Sequence, residues 1–267
     1  MKIEDLFSIK DKIALVTGGS RGIGEMIAAG FLANGAKVYI SSRKAQACED
    51  AAARLMEQFG GRCISIPGDV SDLAGVEALV AAISEREDRL DILVNNAGAS
   101  WGGSLDEFPE KGWDKVMDTN VKGVFFLTQK MLPLLRTGAT AEDPARVINI
   151  GSIDGLKNSS FQNFSYSPSK AAVHHMTRQM AAHLVKENII LNAIAPGPFP
   201  TWMLSTGVGF GGSTEGVDWE RVGKTNPRGR LGTAEDIAGL AIYLSSRAGA
   251  YIVGTTIACD GGEVARS

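Results

Sequence analysis

Seven short apolar runs, rich in β-branched residues, recur along the chain and alternate with longer stretches of helical periodicity. Such runs predict buried strands, and strands separated by helices predict βαβ units and a mostly parallel sheet. No linker or internal repeat interrupts the alternation. The sequence therefore predicts an α/β fold: a single doubly wound domain, residues 1–267, whose seven-stranded parallel sheet has helices on both faces. The predicted strands are Lys12–Thr17, Ala36–Ser41, Arg62–Ile66, Asp91–Asn95, Val147–Gly151, Ile189–Ala195 and Thr255–Ala258.

The helices between these strands are predicted from apolar spacing and from capping signals. Ser71 is the predicted N-cap of one helix, and Pro133 should kink or shorten the end of another. Thr233 and Asp236 form a capping-box pattern. The predicted helices run from Gly24 to about Asn34 and over Lys44–Phe59, Ser71–Arg86, Trp113–Leu135, Tyr166–Lys186 and Thr233–Ser245.

Two stretches depart from this rhythm. Arg136–Pro144 is a polar insertion ahead of the fifth strand, and Phe199–Lys224 is a long connection that holds Gly207, Gly209, Gly211, Gly212 and Gly216. A connection of that length is usually functional or disordered. Since glycines permit opening and large apolar side chains can cover a substrate, we predict a flexible substrate lid at about residues 199–224.

Charge and cysteine content exclude several classes of function. The 27 Lys and Arg residues are balanced by 30 Asp and Glu residues without a basic stripe, so no nucleic-acid partner is expected. The three cysteines are scattered, which favours reduced thiols over a disulfide framework. No apolar run approaches ~18 residues, no secretion signal opens the chain, and no metal-binding pattern is present. We expect a cytoplasmic protein that uses neither a membrane nor a metal.

A glycine-rich loop, Thr17–Gly24, joins the first strand to the first long helix. Such a loop lets the backbone approach a pyrophosphate, which the free N–H groups of the helix then bind. The alternative is a tight connection without a ligand. The second strand ends in Ser42 and Arg43 with no carboxylate for a ribose hydroxyl. Arg43 and Arg21 could clamp a 2′-phosphate, which predicts NADP(H), unless Arg43 is an ordinary surface charge.

Tyr166 and Lys170 are four residues apart in a predicted helix and share one face. A nearby ammonium can lower a tyrosine pKa of about 10 by ~1–3 units, so the pair can exchange a proton near neutral pH. The same spacing also occurs in ordinary surface pairs. Ser152 follows the fifth strand, where ligands bind in open α/β sheets, and its hydroxyl can donate to a substrate oxygen. Asn120 falls in a predicted helix, where the plainer interpretation is an exposed polar position.

In their order along the chain, these motifs resemble those of the short-chain dehydrogenase/reductases, from about Lys12 to Gly262. The resemblance implies a Rossmann domain in which Tyr166 is the general acid/base and Lys170 lowers its pKa and binds the nicotinamide ribose. Ser152 would orient the carbonyl, and Asn120 would hold a water in a proton relay to Lys170. The matching motifs are TGGSRGIG at Thr17–Gly24, Asp69–Val70, NNAG at Asn95–Gly98, Asn120, Ser152, YSPSK at Tyr166–Lys170, and Pro196–Gly197.

The resemblance also implies the cofactor contacts. Asp69 would contact the adenine, Asn95 would support the central strand and the cofactor, and Thr201 would contact the nicotinamide amide. The full set of predicted NADP(H) contacts is Gly18, Ser20, Arg21, Gly22, Ile23, Gly24, Ser42, Arg43, Asp69, Val70, Asn95, Ala97, Gly98, Tyr166, Lys170, Pro196, Gly197 and Thr201. The family usually forms tetramers through its two long helices, which here predicts a homotetramer through residues 113–135 and 166–186.

The substrate is predicted from aromatic and apolar side chains near these motifs. Candidate pocket residues, besides Ser152, are Trp101, Phe161, Phe164, Trp202 and Met203, although each could instead lie in the core or at a subunit interface. Such a pocket favours an apolar ketone, for example a 3-oxoacyl thioester, over a free sugar. A secondary-alcohol, sugar-acid or steroid dehydrogenase is the alternative enzyme. A non-catalytic nucleotide-sensing protein on the same fold is the alternative outside catalysis.

Overall fold

The structure of the protein, a computed structural model, describes residues 2–159, 161–207 and 214–266. Seven parallel strands form one sheet in the order β3-β2-β1-β4-β5-β6-β7, which confirms the predicted doubly wound α/β fold. The alternation of apolar runs and helical stretches therefore predicted the fold class correctly. The strands are β1 Ile13–Thr17, β2 Lys37–Ser41, β3 Arg62–Ser65, β4 Ile92–Asn95, β5 Ala145–Ile150, β6 Ile189–Pro196 and β7 Thr256–Cys259.

Helices cover both faces of the sheet. Successive strand side chains point to opposite faces, so Ala14 and Val16 of β1 join one core and Leu15 joins the other. The first core contains side chains of α2, α3 and α10, and the second contains those of α4, α6 and α7. The helices are α1 Ile3–Leu6, α2 Gly22–Ala33, α3 Ala45–Phe59, α4 Leu73–Ser84, α5 Glu110–Met117, α6 Gly123–Arg136, α7 Tyr166–Leu184, α8 Trp202–Gly207, α9 Trp219–Gly223 and α10 Ala234–Ser245.

The helix predicted over Trp113–Leu135 is wrong in its details. It begins at Glu110, and a π-helical turn, Asp118–Lys122, separates α5 from α6. Pro133 does not shorten its end, because α6 continues to Arg136. Leu134 and Leu135 are buried in the core, and that packing holds the last turn in spite of the missing proline N–H.

Two capping predictions have different outcomes. The capping box of Thr233 and Asp236 is present at the start of α10. The predicted N-cap Ser71 is wrong: Asp72 caps α4 by accepting a hydrogen bond from Gly75 N. A carboxylate one residue later makes the same bond that a serine hydroxyl would make.

The predicted lid, residues 199–224, contains two short helices, α8 and α9. Residues 208–213, which include Gly209, Gly211 and Gly212, lie outside the described residues, so a mobile lid stays a prediction. Within the described ranges, no helix is both long and apolar enough to cross a bilayer.

Candidate active site

The candidate site lies at the carboxyl edge of the sheet, where β1 and β4 are neighbours. From these two strands the sheet is built outward in opposite directions, toward β2 on one side and β5 on the other. Ligands of open α/β sheets bind at such a switch point. The glycine loop follows β1, and the Asn95–Gly98 turn begins at the end of β4.

The glycine loop has a backbone conformation and close contacts that leave no room for side chains at Gly18 and Gly24. Gly18 and Gly22 adopt φ angles of +65° and +59°, which L side chains avoid. A Cβ at Gly18 would lie 2.8 Å from Asn96 Nδ2, and one at Gly24 would lie 2.4 Å from the Gly18 oxygen. No side chain caps the N-terminus of α2, so its first N–H groups are available to an anion. This cradle, which also includes Ser20, Arg21 and Ile23, fits a pyrophosphate.

The loop is fastened to the turn after β4 by Thr17 and Asn96. Thr17 Oγ1 accepts hydrogen bonds from the backbone N–H groups of Asn96 and Ala97, each at 3.0 Å. Asn96 Nδ2 donates to the carbonyls of Thr17 and Gly18 at 2.8 and 3.2 Å. Our candidate contacts contain Ala97 and Gly98 but omit Asn96. The second asparagine of the NNAG motif is Asn96, so the motif itself could have identified this residue.

The other asparagine of the pair, Asn95, is buried inside the sheet. Its Nδ2 donates to Thr128 Oγ1 at 2.9 Å and to Asn149 Oδ1 at 2.8 Å. Asn149 Nδ2 in turn donates to Thr177 Oγ1 at 2.9 Å. These bonds connect β4 and β5 with α6 and α7, so the side chain of Asn95 holds together the elements that carry the site.

Positive charge surrounds the end of β2, where many dinucleotide sites have a carboxylate. Arg43 follows Ser42, is exposed, and has no ion pair among the residues that the structure describes. The guanidinium of Arg21 lies 4.6 Å from the centroid of the Trp202 ring. Unpaired guanidinium groups are suited to a 2′-phosphate, so this donor set fits NADP(H).

Asp69 and Val70 form a turn after β3 that is enclosed by two helices. A Cβ at Gly75 of α4 would lie 1.9 Å from the Asp69 oxygen, and one at Gly123 of α6 would lie 2.2 Å from the Val70 oxygen. Asp69 Oδ1 accepts from Ser71 N at 3.0 Å. The turn is therefore held in place by its backbone, at the same edge of the sheet as the glycine loop.

Tyr166 and Lys170 occupy the first two turns of α7, as the four-residue spacing predicts. Lys170 Nζ lies 5.6 Å from the centroid of the Tyr166 ring and donates to the Ile150 oxygen at 2.8 Å. Lys170 is only 5% exposed, and burial lowers its pKa to about 8. A buried ammonium beside a phenol is an arrangement for proton transfer.

The expectation that Lys170 lowers the pKa of Tyr166 is wrong for this structure. Burial raises the pKa of Tyr166 to about 12, a hydrogen bond with Ser152 lowers it in part, and the charge of Asp154 raises it further. The sequence could not show how far the surrounding loops remove the phenol from water. With this pKa, Tyr166 is protonated at neutral pH and is suited to donate a proton.

Ser152 is buried at the end of β5 and begins a 3₁₀ turn, Ile153–Gly155. Its Oγ accepts a hydrogen bond from Asp154 N at 3.1 Å. Because the oxygen acts as the acceptor in this bond, the hydroxyl proton remains available for the hydrogen bond with Tyr166 or for a substrate oxygen. Asp154 Oδ2 itself accepts from Ser159 Oγ at 3.1 Å, so the Asp154 carboxylate belongs to the same loop.

Asn120 is buried, so the interpretation as an exposed polar position is wrong. It lies in the π-helical turn, which is a common feature of functional sites. Its Oδ1 accepts from Ala99 N at 2.8 Å, and its Nδ2 donates to Ala99 O and Ser169 Oγ at 3.0 and 2.9 Å. A Cβ at Gly98 would lie 3.4 Å from Asn120 Oδ1 and 3.7 Å from Lys170 Nζ, so these groups are neighbours.

The segment after β6 closes the site from a further side. Gly197 N donates to Cys259 O at 3.0 Å, and a Cβ at Gly197 would lie 2.7 Å from Asp260. This fit fixes the turn that starts at Pro196. Thr201 Oγ1 accepts from Leu204 N at 3.2 Å at the start of α8. A Cβ at Gly22 would lie 3.3 Å from Thr201 Cγ2, so the segment approaches the glycine loop.

The predicted substrate residues differ in their surroundings. The Trp101 ring packs on α5, where a Cβ at Gly112 would lie 2.6 Å from it, and Lys115 Nζ is 5.3 Å from its centroid. Phe164 meets Phe108 edge to face at 6.0 Å between centroids. Four of the candidates are more than a third exposed: Phe161, Phe164, Trp202 and Met203.

Comparisons with known proteins agree with this geometry. A family model described as "Enoyl-(Acyl carrier protein) reductase" matches residues 18–263. The chain is 49% identical over 256 residues to the rhamnolipids biosynthesis 3-oxoacyl-[acyl-carrier-protein] reductase of Pseudomonas aeruginosa, covering 96% of this chain and 97% of that protein. It is 36% identical over 267 residues to gluconate 5-dehydrogenase of Gluconobacter oxydans, covering 98% of each. A solved structure described as the Pseudomonas aeruginosa RhlG/NADP active-site complex has a TM-score of 0.90 at 48% identity, covering 97% of this chain and 99% of that one.

Proposed function

The chain belongs to the short-chain dehydrogenase/reductase family, and on this premise we propose that it is an NADP(H)-dependent oxidoreductase that reduces a ketone to a secondary alcohol. The observation that carries the proposal is the meeting of Lys170 with Tyr166 at the carboxyl edge of the sheet. A buried ammonium beside a protonated phenol provides the proton that carbonyl reduction consumes.

The donor set supports NADP(H) as the cofactor. The cradle of Gly18 and Gly22 would hold the pyrophosphate, and Arg21 and Arg43 would hold the 2′-phosphate. Lys170 would bind the nicotinamide ribose. When bound, the reduced cofactor supplies the hydride.

The residues of this chain handle the oxygen of the substrate. Ser152 orients the carbonyl by donating its hydroxyl proton, and Tyr166 donates its proton to the same oxygen as the alcohol forms. Asn120 lies beside Lys170 and supports a relay that returns a proton to this pair. In the opposite direction the alcohol would have to give its proton to a phenolate, and the raised pKa of Tyr166 disfavours that form.

The substrate we propose is a 3-oxoacyl thioester or a similar apolar ketone. An apolar substrate is supported by four exposed apolar side chains, those of Phe161, Phe164, Trp202 and Met203. Contact with a hydrocarbon chain would remove their apolar surface from water, which is favourable. The resemblance to a 3-oxoacyl-[acyl-carrier-protein] reductase supports the same class. The resemblance to gluconate 5-dehydrogenase keeps a sugar-acid substrate as the second candidate.

We also propose a cytoplasmic homotetramer formed through the two long helical segments, residues 113–135 and 166–186. Trp113 and Phe125 are large apolar side chains of the first segment that are more than a third exposed in the single chain, which supports a contact there. The three cysteines are free, which supports a reducing compartment. Light scattering should give the mass of four chains, and a monomeric mass would reject this assembly.

The test of function is NADPH oxidation, followed by absorbance, with 3-oxoacyl thioesters, simple ketones, steroids and keto sugar acids. We expect the highest kcat/KM with 3-oxoacyl thioesters. A rate confined to polar keto acids would reject the acyl substrate. NADPH binding without turnover of any ketone would instead support a nucleotide-sensing protein.

Tyr166→Phe tests the catalytic assignment. Loss of the general acid should lower kcat about 10³-fold, while the Kd for NADPH, measured by fluorescence, stays within about twofold. Tyr251→Phe is the matched control, since Tyr251 is almost fully exposed. Full activity of Tyr166→Phe would refute the role of Tyr166.

A further inference from the structure

His174 lies in α7 one turn beyond Lys170. It is buried, with 3% of its surface exposed. Its Nε2 lies 3.4 Å from the backbone nitrogen of Ser152, which donates to it. A polar ring on the helix of the general acid therefore contacts the backbone of the residue that orients the carbonyl.

The turn of Ser152 is shaped around this ring. A Cβ at Gly151 would lie 2.0 Å from His174 Nε2, and one at Gly155 would lie 2.8 Å from His174 Cε1 and 2.7 Å from Ala171 N. Gly151 directly precedes Ser152, and Gly155 is the last residue of the 3₁₀ turn that follows it. A methyl group at either position would overlap the ring or the α7 backbone, so the two glycines permit the close approach of the turn to His174.

The ring is suited to accept this hydrogen bond at neutral pH. Burial, together with the charge of Lys170, lowers the pKa of His174 to about 4, so the ring is neutral. A neutral ring has one nitrogen without a proton, and Nε2 is that nitrogen when it accepts from Ser152. Nε2 is therefore the ring nitrogen that accepts from Ser152 N, and a backbone hydrogen bond at Gly155 partly offsets the lowering of the His174 pKa.

We propose that His174 is a positioning residue that fixes the Ser152 hydroxyl by holding the 3₁₀ turn against α7. The hydroxyl is bonded to Asp154 N within this turn, so a displaced turn moves the hydroxyl with it. Tyr166 and Lys170 are on the same helix as His174. One histidine thereby sets the distance between the group that orients the carbonyl and the group that protonates it.

The inference rests on the proposed ketone reduction, and variants of the whole chain test it. His174→Leu should lower kcat for the preferred ketone about 30-fold, because the carbonyl is displaced from Tyr166. The Kd for NADPH should stay within about twofold, since the glycine loop is untouched. His174→Gln, whose amide oxygen can accept from Ser152 N, should recover a large part of kcat. His175→Leu, at the exposed neighbouring position, should match the wild type.

A double-mutant cycle with Ser152→Ala separates positioning from general destabilisation. If His174 acts through Ser152, His174→Leu should cause no further loss of kcat in the Ser152→Ala background. Fully additive losses would overturn the proposal, as would wild-type kcat in His174→Leu or an equal loss in His174→Gln. If His174→Leu does not fold, His174→Phe, which keeps an aromatic ring but has no acceptor nitrogen, replaces it in the same comparison and cycle. A wild type that reduces no ketone rejects the proposed function itself, whereas an active wild type with a normal His174→Leu rejects only the positioning role.

Discussion

The two sides of the active site are built in different ways. On the cofactor side, the glycine loop is fixed by backbone contacts and by two short polar side chains, Thr17 and Asn96. On the substrate side, aromatic side chains such as Phe161, in a loop, and Trp202, at the start of α8, remain more than a third exposed. The first region is complete in the single chain, whereas the second presents apolar surface that still has to be covered.

This difference follows from what each side binds. Every turnover uses the same pyrophosphate, so backbone N–H groups and a helix N-terminus are sufficient to bind it. Substitutions in this region therefore weaken binding by steric overlap and by backbone strain. A substrate is distinguished by its shape and charge, which side chains on loops can match. Substitutions on the cofactor side should therefore have large effects that do not depend on the ketone, and those on the substrate side should have smaller effects that do.

The largest effect is expected at Gly18. Gly18→Ala forces a side chain into φ +65° and places its Cβ 2.8 Å from Asn96 Nδ2. Strain and overlap of about 2–3 kcal/mol should raise the Kd for NADPH roughly 30- to 150-fold. Fluorescence titration measures this Kd. Gly239→Ala is the control, since a Cβ there meets nothing within 4 Å. An equal factor for all ketones supports the comparison, and a ketone-dependent factor would contradict it.

A smaller effect on the cofactor side is expected at Arg43. If the exposed Arg43 guanidinium binds the 2′-phosphate as proposed, its removal should lower the ratio of kcat/KM for NADPH to that for NADH by about tenfold. Arg43→Ala measured with both cofactors tests this expectation. Lys44→Ala, at the exposed next position, is the control. An unchanged ratio would mean that Arg43 is an ordinary surface charge and that Arg21 alone selects the phosphate.

The sequence predicts the two sides to very different extents. The strand–loop–helix order revealed the glycine loop, because the residues that form the strand, the loop and the helix are consecutive in the sequence. The same logic located Tyr166 and Lys170 by spacing. The raised pKa of Tyr166 was not predictable, since it depends on loops that are distant in sequence.

Failures of prediction have similar causes. The π-helical turn that brings Asn120 inward leaves no periodic signal, because it changes the phase of a helix by one residue. Pro133 was expected to shorten α6, but the core contacts of Leu134 and Leu135 outweigh it. The contact of His174 with Ser152 joins residues 22 positions apart, beyond any local pattern.

Lys170 lies between the cofactor side and the substrate side. Its ammonium would bind the nicotinamide ribose and would also assist proton transfer by Tyr166. Its pKa is lowered to about 8 by burial, so the ammonium is present below this pH and lost above it. Tyr166, with a pKa of about 12, stays protonated over the same range. The kcat/KM for reduction should therefore be level from pH 6 to 7.5 and fall about tenfold per pH unit above 8.

A pH–rate profile with the preferred ketone measures this fall. Lys170→Arg keeps its charge at alkaline pH, so any residual activity of this variant should show no break near pH 8. A wild-type profile that stays level to pH 10 would show that reduction does not need the ammonium.

The smallest effect is expected at Asp154, on the substrate side. Its carboxylate is close enough to raise the pKa of Tyr166, and the nearby ammonium of Lys157 is paired with Glu263 at 3.3 Å. A negative charge beside the carbonyl position should disfavour substrates that are themselves anions, such as keto acids. Acetoacetate and ethyl acetoacetate share the reacting ketone and differ in charge, so their ratio of kcat/KM isolates this effect.

Asp154→Asn should raise kcat/KM for acetoacetate about fivefold, corresponding to roughly 1 kcal/mol of repulsion, and change that for the ester less than about twofold. The amide oxygen can still accept from Ser159 Oγ, so the loop keeps its bond. Asp50→Asn, on the exposed face of α3, is the charge-matched control. Because Gly18→Ala should affect both ketones alike, a selective effect of Asp154→Asn would assign substrate choice to the loops. An equal effect on acid and ester would instead mean that Asp154 acts only through Tyr166. Residues other than Asp154 would then discriminate between charged and neutral substrates.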